Sequence, residues 1–382
     1  MKRVMQDERG IALAVAIFAL VIVGALVAGA FFAGTQEQRV AESSRRLQQS
    51  FGLAEVGVGQ QVARWDPDVN NVLKIFPPEE RRVDTASQTG VYGGTIRKLN
   101  ANLYLIDITA QDSISLKSGL RTASSGARQR VGLLARIKPL NIDIQASLTT
   151  LGNVDLKGQT TVNGFDQLPP GWLDCDPAGP PAAGIRVDEG TVNVQGAATV
   201  AGIPPVRNDT AVNPSTFTQY GDVSYADLAA RATITLPGGT YQTAPTLNGL
   251  GACDKTNLTN WGDGVNHGAP CGSYFPVIHI TGSVVLNGVQ GQGILLVDGD
   301  LAVQGSYEFF GITIVSGALK TSGGGATDAH FWGSVMAQNV NLELQSASGK
   351  ATLNYSKCAI IQALQMTGTV VPMVSRGWAQ LF

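Results

Sequence analysis

From Gly10 to Gly34 the chain carries no charged side chain. At about 1.5 Å per residue, a helix over Ile11–Gly34 would be about 36 Å long, against about 30 Å for the hydrocarbon core of a bilayer. A secretory signal peptide competes, since Ala28-Gly29-Ala30 mimics a small-residue cleavage site. The apolar run exceeds the roughly 7 to 15 residues of a signal h-region, which favours a membrane span. Helical patterning then continues from Thr35 to Arg64 without a proline. Val40, Leu47, Phe51, Ala54 and Val58 form one apolar stripe, while Glu37, Arg39, Glu42, Arg45, Arg46 and Gln49 lie off it. Gly52, Gly57 and Gly59 each weaken this part by up to about 1 kcal/mol relative to Ala, so it needs a packing partner.

Glu8-Arg9-Gly10-Ile11-Ala12-Leu13, the apolar run, Glu37-Gln38-Arg39-Val40-Ala41 and Gly52-Leu53-Ala54-Glu55 together resemble the N-terminal segment of PilX-type minor pilins of type IV pilus assembly. The resemblance covers roughly the first 65 residues. It implies cleavage by a prepilin peptidase between Gly10 and Ile11, with the basic leader cytoplasmic until removed. It also implies burial of Ile17, Leu20 and Leu26 among other pilin subunits once the helix leaves the inner membrane. Val15 stands where major pilins carry a glutamate, and Ile11 where phenylalanine is commoner as first mature residue. Both departures point to an accessory subunit.

Beyond the helix, Trp65-Asp66-Pro67 ends the pattern, because proline disfavours helical geometry in the residue before it. Alternation from Gly93 to Gln111 about Asn100-Ala101-Asn102 predicts a β-hairpin, and Arg128–Lys138 another strand. From about Ile142 the texture is short β-rich runs cut by Gly and Asn. Segments beginning at Gly293, Gly311 and Gly333 align in one frame of strand, tight turn, strand, and Gly184–Gly196 shares it. That spacing is expected of a β-helix, with a β-sandwich as competitor. In the β-helix reading Ile294, Leu296, Ile312, Ile314, Val335 and Ala337 point inward, Leu148–Val162 gives a first rung, and Ala351–Leu364 the closing one. Thr216–Arg231 reads as one inserted helix. The expected class is therefore α+β: a long N-terminal transmembrane pilin-like helix, a small β-sheet, then a mainly-β head built as a parallel β-helix. The divisions are a leader over 1–10, membrane and stalk helix over 11–65, linker and small sheet over 66–140, and head over 141–382.

Charged residues make up only 15% of the chain and glycines number 46, a profile of Gly-punctuated extracytoplasmic β structure. Net charge is -2, without the basic surface that nucleic acid as main partner requires. Cys175, Cys253, Cys271 and Cys358 have no zinc or CxxC spacing, and in an oxidising envelope they would pair. Cys253 with Cys271 brackets one Gly- and Asn-rich loop, leaving Cys175 with Cys358; three connectivities are formally open, as are four buried thiols.

Enzymatic chemistry finds little purchase. Asp298 and Asp300 are the one close acidic pair in the aligned rungs, and Ser316 and Ala318 replace them in the next. They read as turn residues, and Asp-Gly-Asp alone leaves most oxygen ligands of a calcium loop unidentified. His267, His279 and His330 have no metal-ligand spacing, and His279 alternates with Ile278 and Ile280 as an outward or satisfied residue. Gly323–Gly325 lacks the Lys-Ser/Thr of a phosphate loop, so no metal, cofactor or catalytic set is expected. The functional expectation is a minor pilin with a structural or adhesive head, periplasmic before assembly and on the pilus or cell surface after it. An envelope-anchored carbohydrate-active β-helix enzyme and an anchored adhesin without a pilus role are the alternatives.

Overall fold

A computed structural model of the protein describes residues 9–87, 90–100, 102–112, 127–138, 140–172, 175, 179–188, 190–221, 223–321, 328–343, 350–373 and 377–381. The chain divides into two compact units, Met1–Arg64 with Ile75–Ala135 and Pro372–Phe382, and Trp65–Lys74 with Arg136–Val371. Pairing of the C-terminal strand Trp378–Leu381, antiparallel to Arg130–Leu133, returns the last residues to the first unit.

In the first unit α1 spans Arg9–Ala63 as one continuous helix. Strands β1 (Glu80–Ser87), β2 (Gly90–Asn100), β3 (Leu103–Asp112) and β4 (Arg128–Lys138) follow in sheet order. The β2–β3 hairpin pairs Ile96 with Ile106 and Gly94 with Ile108, so strand alternation puts Tyr92, Ile96, Tyr104, Ile106 and Ile108 on one buried face. The C-terminal third of α1 lies on that face: Leu53, Ala54 and Val58 are buried, and Tyr92 Oη donates to Gln60 Oε1 at 2.6 Å. Gly57 is the point of closest approach, where an added Cβ would sit 2.8 Å from the Tyr92 ring. Ser50 starts the packed region, its hydroxyl donating to the Ala127 carbonyl at 2.7 Å.

The second unit is built mainly from strands paired in parallel. They are β5 (Ala146–Thr150), β6 (Val154–Lys157), β7 (Gln159–Asn163), β8 (Ala183–Val187), β9 (Val192–Val194), β10 (Thr199–Ala201) and β11 (Val206–Asn208). A two-residue antiparallel pair, β12 (Gln219–Tyr220) and β13 (Val223–Ser224), precedes β14 (Ile234–Thr243), β15 (Val277–Val297), β16 (Leu301–Thr321), β17 (Asp328–Glu343) and β18 (Lys350–Tyr355). Register runs unbroken through Leu295, Thr313, Val335, Leu148, Ile185 and Val206, one residue from each layer.

Spatial order departs from chain order. Leu148–Val162 is an interior layer, because β5 and β6 pair with β17 on one side and with β8 and β9 on the other. β18 is likewise interior, held between β17 and β7. The expected closing rung Ala351–Leu364 is therefore corrected. Its first part is that interior strand, and Lys357–Met366 is a helix with Ser356 as N-cap, a side-chain oxygen satisfying the Ala359 N–H. The expected single helix over Thr216–Arg231 is replaced by a 3-10 turn Pro214–Phe217, the β12/β13 pair and a six-residue helix Tyr225–Ala230.

Two cores result. The inner one holds Leu148, Ile185, Leu295, Val297, Val315, Val335 and Ala337. The outer one holds Ile294, Leu296, Ile312, Ile314 and Met336 against Phe217, Leu228, Ile360, Ala363 and Leu364. The four isoleucine and leucine positions expected inside thus face out of the stack, under a covering helix and loops. The strands are apolar on both faces, and alternation alone cannot say which face is interior. At the corner between two faces Gly293, Gly311 and Gly333 stack directly with φ of 107, 135 and 136°. A Cβ on Gly311 would run into the carbonyl oxygen of Gly293, and one on Gly333 into that of Gly311.

Candidate functional site

A long run of exposed large apolar side chains belongs to α1. Gly10 and Ile11 lie in its first turn, and from Leu13 to Phe32 the side chains stand clear of the other described residues. Ile17 is 55% exposed, Leu20 72% and Leu26 68%, with Phe18, Phe31 and Phe32 equally open. The segment is long and apolar enough to cross a membrane, with mean hydropathy 2.8 and none of it buried within the chain. Fully burying one such side chain is worth about 1.5–3 kcal/mol, so this surface is stable only against lipid or other protein. Beyond the apolar run the helix surface turns polar, with an Arg46–Glu42 ion pair one turn apart. Val40 and Leu47 of the expected stripe remain exposed, whereas Ala54 and Val58 are covered by the sheet.

In the second unit the expected carboxylate pair is separated by function. Asp298 Oδ1 accepts from Tyr225 Oη at 2.6 Å and lies 3.0 Å from His279 Nε2. Tyr225 opens the helix Tyr225–Ala230, which Ser224 caps through the Asp227 N–H, so the contact pins that helix to the stack. Burial first, and then the Asp298 hydrogen bond and charge, hold the Tyr225 hydroxyl well above its ordinary value, so it remains a neutral donor. Asp300 accepts from the Ala318 N–H at 2.9 Å and from Lys320 Nζ at 2.7 Å, in that order depressing its carboxyl below the usual value. Each carboxylate is thus spent on joining elements, which is the chemistry of a turn and a latch. His279 is half-buried between Asp298 and the Tyr225 ring; His330 Nε2 lies 2.7 Å from Asp328 Oδ1; His267 stacks on Trp172 at 4.2 Å. Among the described residues no three His, Cys, Asp or Glu side chains are grouped to hold a metal ion. Gly323–Gly325 lies outside the described residues.

Cys253 and Cys271 are disulfide-bonded with Cα atoms 4.8 Å apart, and Cys175 and Cys358 with Cα atoms 5.8 Å apart. The first bridge closes the loop between β14 and β15, in which Asn260 Nδ2 also donates to the carbonyls of Thr246 and Asp254. The second ties the N-terminus of the covering helix to the loop after β7. Not foreseen from sequence was the aromatic run at the outer core, Trp172 on Phe310 at 5.6 Å and Phe310 on Trp332 at 6.4 Å. Stacking in register brings these rings together across layers, a relation invisible at the level of chain spacing.

No family model matches the chain, and no curated protein matches it. Among solved structures it is similar to the competence-associated pilin ComZ from Thermus thermophilus, at 14% identity over 87% of this chain and 96% of that one, with a TM-score of 0.24. A superposition that loose transfers no role, and the function is argued from this chain's own helix.

Proposed function

We propose that the protein is a minor, accessory pilin or pilin-like subunit, inserted in the inner membrane through Ile11–Gly34 with its head in the periplasm, and later built into a pilus or displayed at the cell surface. The observation that carries this reading is the division of one continuous helix into two environments. From Ser50 to Ala63 it packs on its own sheet, whereas Leu13 to Phe32 presents large apolar side chains to none of the other described residues. A simple anchor needs only the span; a helix continuing rigidly from the span into the folded unit can also carry that unit as the helix moves from lipid to protein neighbours. Other pilin subunits are the partners on this reading, with Ile17, Leu20 and Leu26 as packing residues. A prepilin peptidase cuts between Gly10 and Ile11, and Val15 fits an accessory role. The parallel rungs are read as a β-helix head whose surface serves contact and adhesion, without turnover.

N-terminal sequencing of the mature protein tests the reading. Ile11 as first residue supports it, and a start near Phe31 replaces it with a cleaved signal peptide. Substituting Gly10 by a bulky residue should leave the leader attached and block assembly; normal processing and normal filaments from that variant would end the pilin reading.

A further inference from the structure

On the face of the first unit's sheet that α1 does not cover lies a cleft of about 640 Å3, lined by Glu80, Thr95, Arg97, Asp107, Thr109 and Arg128, with Gly94, Gln129 and Arg130 completing it. Strand alternation places Thr95 and Arg97, Asp107 and Thr109, and Arg128 and Arg130 on this side, opposite the buried Ile96, Ile106 and Ile108. The hollow exists because its floor is short. Thr95 and Thr109 rise little above the backbone, and Gly94 between the strands contributes main chain alone. Long ionic side chains wall it. Arg97 pairs with Glu80, the residue directly opposite on β1, while Arg130 grips Asp107 through Nε, at 2.8 Å to Oδ1, and through a second guanidinium nitrogen.

The balance of donors is one-sided. Two carboxylates face three guanidiniums, and both carboxylates are engaged. A guanidinium offers five N–H donors, so Arg97 and Arg130 keep donors beyond those their partners use, and the exposed Arg128 adds a full set. The Thr95 and Thr109 hydroxyls add neutral donors on the floor. We infer that this cleft binds an oxyanion, a carboxylate or phosphate group carried on a small hydroxylated ligand, with Arg128 as the principal cation and the two existing ion pairs holding Arg97 and Arg130 in place around it. Fixed, planar guanidiniums recognise such groups through paired hydrogen bonds, and the flanking threonines suit a sugar-like body.

The test is a calorimetric titration of the full chain in nonionic detergent at low salt with galacturonic acid, with inorganic phosphate, and with neutral galactose as control. The inference expects saturable binding of one or both anions, little of galactose, at least tenfold weakening in Arg128→Glu, and partial retention in Arg128→Lys. Raising salt should weaken binding of the anion but leave unfolding temperatures nearly unchanged. Galacturonate alone binding would identify a carboxylated sugar, and phosphate alone a phosphorylated ligand. Absence of saturable anion binding by wild type, galactose binding as tightly as the anions, or Arg128→Glu binding as wild type does while melting normally would each overturn it.

Discussion

Replacing Gly311 by alanine should be among the most damaging small changes in the second unit. Its φ of 135° lies where side chains with a Cβ are strained, at a cost of about 1–3 kcal/mol. The added carbon would also meet the Gly293 carbonyl oxygen, a backbone atom fixed by the pairing of Gly293 with Gly311, so relief requires two layers to part locally. Together these give a loss of at least about 3 kcal/mol, which for a unit of this size lowers the melting temperature by about 6–12 °C. Two controls separate the contributions. Gly251 has φ of 76° with nothing within 4 Å of a built Cβ, so Gly251→Ala carries strain alone, about 1 kcal/mol and about 2–4 °C. Gly249 has neither obstacle, and Gly249→Ala should be neutral or stabilising by up to about 1 kcal/mol. Thermal unfolding followed by circular dichroism in nonionic detergent would rank the three. Gly311→Ala melting within about 2 °C of wild type, or no lower than Gly251→Ala, would refute the reasoning that stacked backbones set the requirement for glycine.

Gly57→Ala should destabilise the first unit by about 1–3 kcal/mol despite alanine's helix propensity, because the new methyl lies 2.8 Å from the Tyr92 ring and 3.0 Å from Ile108. Gly52→Ala, with open space at its Cβ, should stabilise instead, and equal gains from both in thermal unfolding would contradict the packing described. Removing the Cys253–Cys271 bridge, with sequence separation 18, should cost about 3 kcal/mol in chain entropy, and removing Cys175–Cys358, with separation 183, about 5 kcal/mol. Denaturant melts of the two double-serine variants check the order, and a larger loss from the shorter loop would show that local strain or contacts outweigh loop closure.

Local signals in the sequence reached the elements they act on directly. An uncharged apolar run followed by a proline-free amphipathic stretch has one economical conformation, and α1 runs from Arg9 to Ala63. Alternation about Asn100 and Asn102 marks the β2–β3 hairpin, and the glycine frame at 293, 311 and 333 reflects one corner repeated across layers. What stayed hidden depends on distant partners. Leu148 pairs with Val335, and nothing near either residue encodes that meeting. Ile294 and Leu296 looked like inner-core residues because the strand is apolar on both faces; only the helix at Lys357–Met366 reveals which face is covered from outside. The carboxylate of Asp298 reads as a turn residue until Tyr225, far back in the chain, is found donating to it. The cleft above β2 and β3 was equally illegible, since it arises from short threonines on the open face flanked by ion pairs formed across strands.

The interior place of β18 has a consequence for how the chain reaches its final state. Layers β5 to β11 are synthesised first, β14 to β17 afterwards, and β18 comes last, seated between β17 and β7. A nascent chain halted before Lys350 therefore holds unpaired main-chain edges on both sides of a missing piece, a hazard for unwanted pairing with other chains. Closure waits on a strand made after both of those it joins, a contact pattern associated with slow folding. Cys358, just past that strand, meets Cys175 only once it is seated, so the bond records that the final piece has arrived.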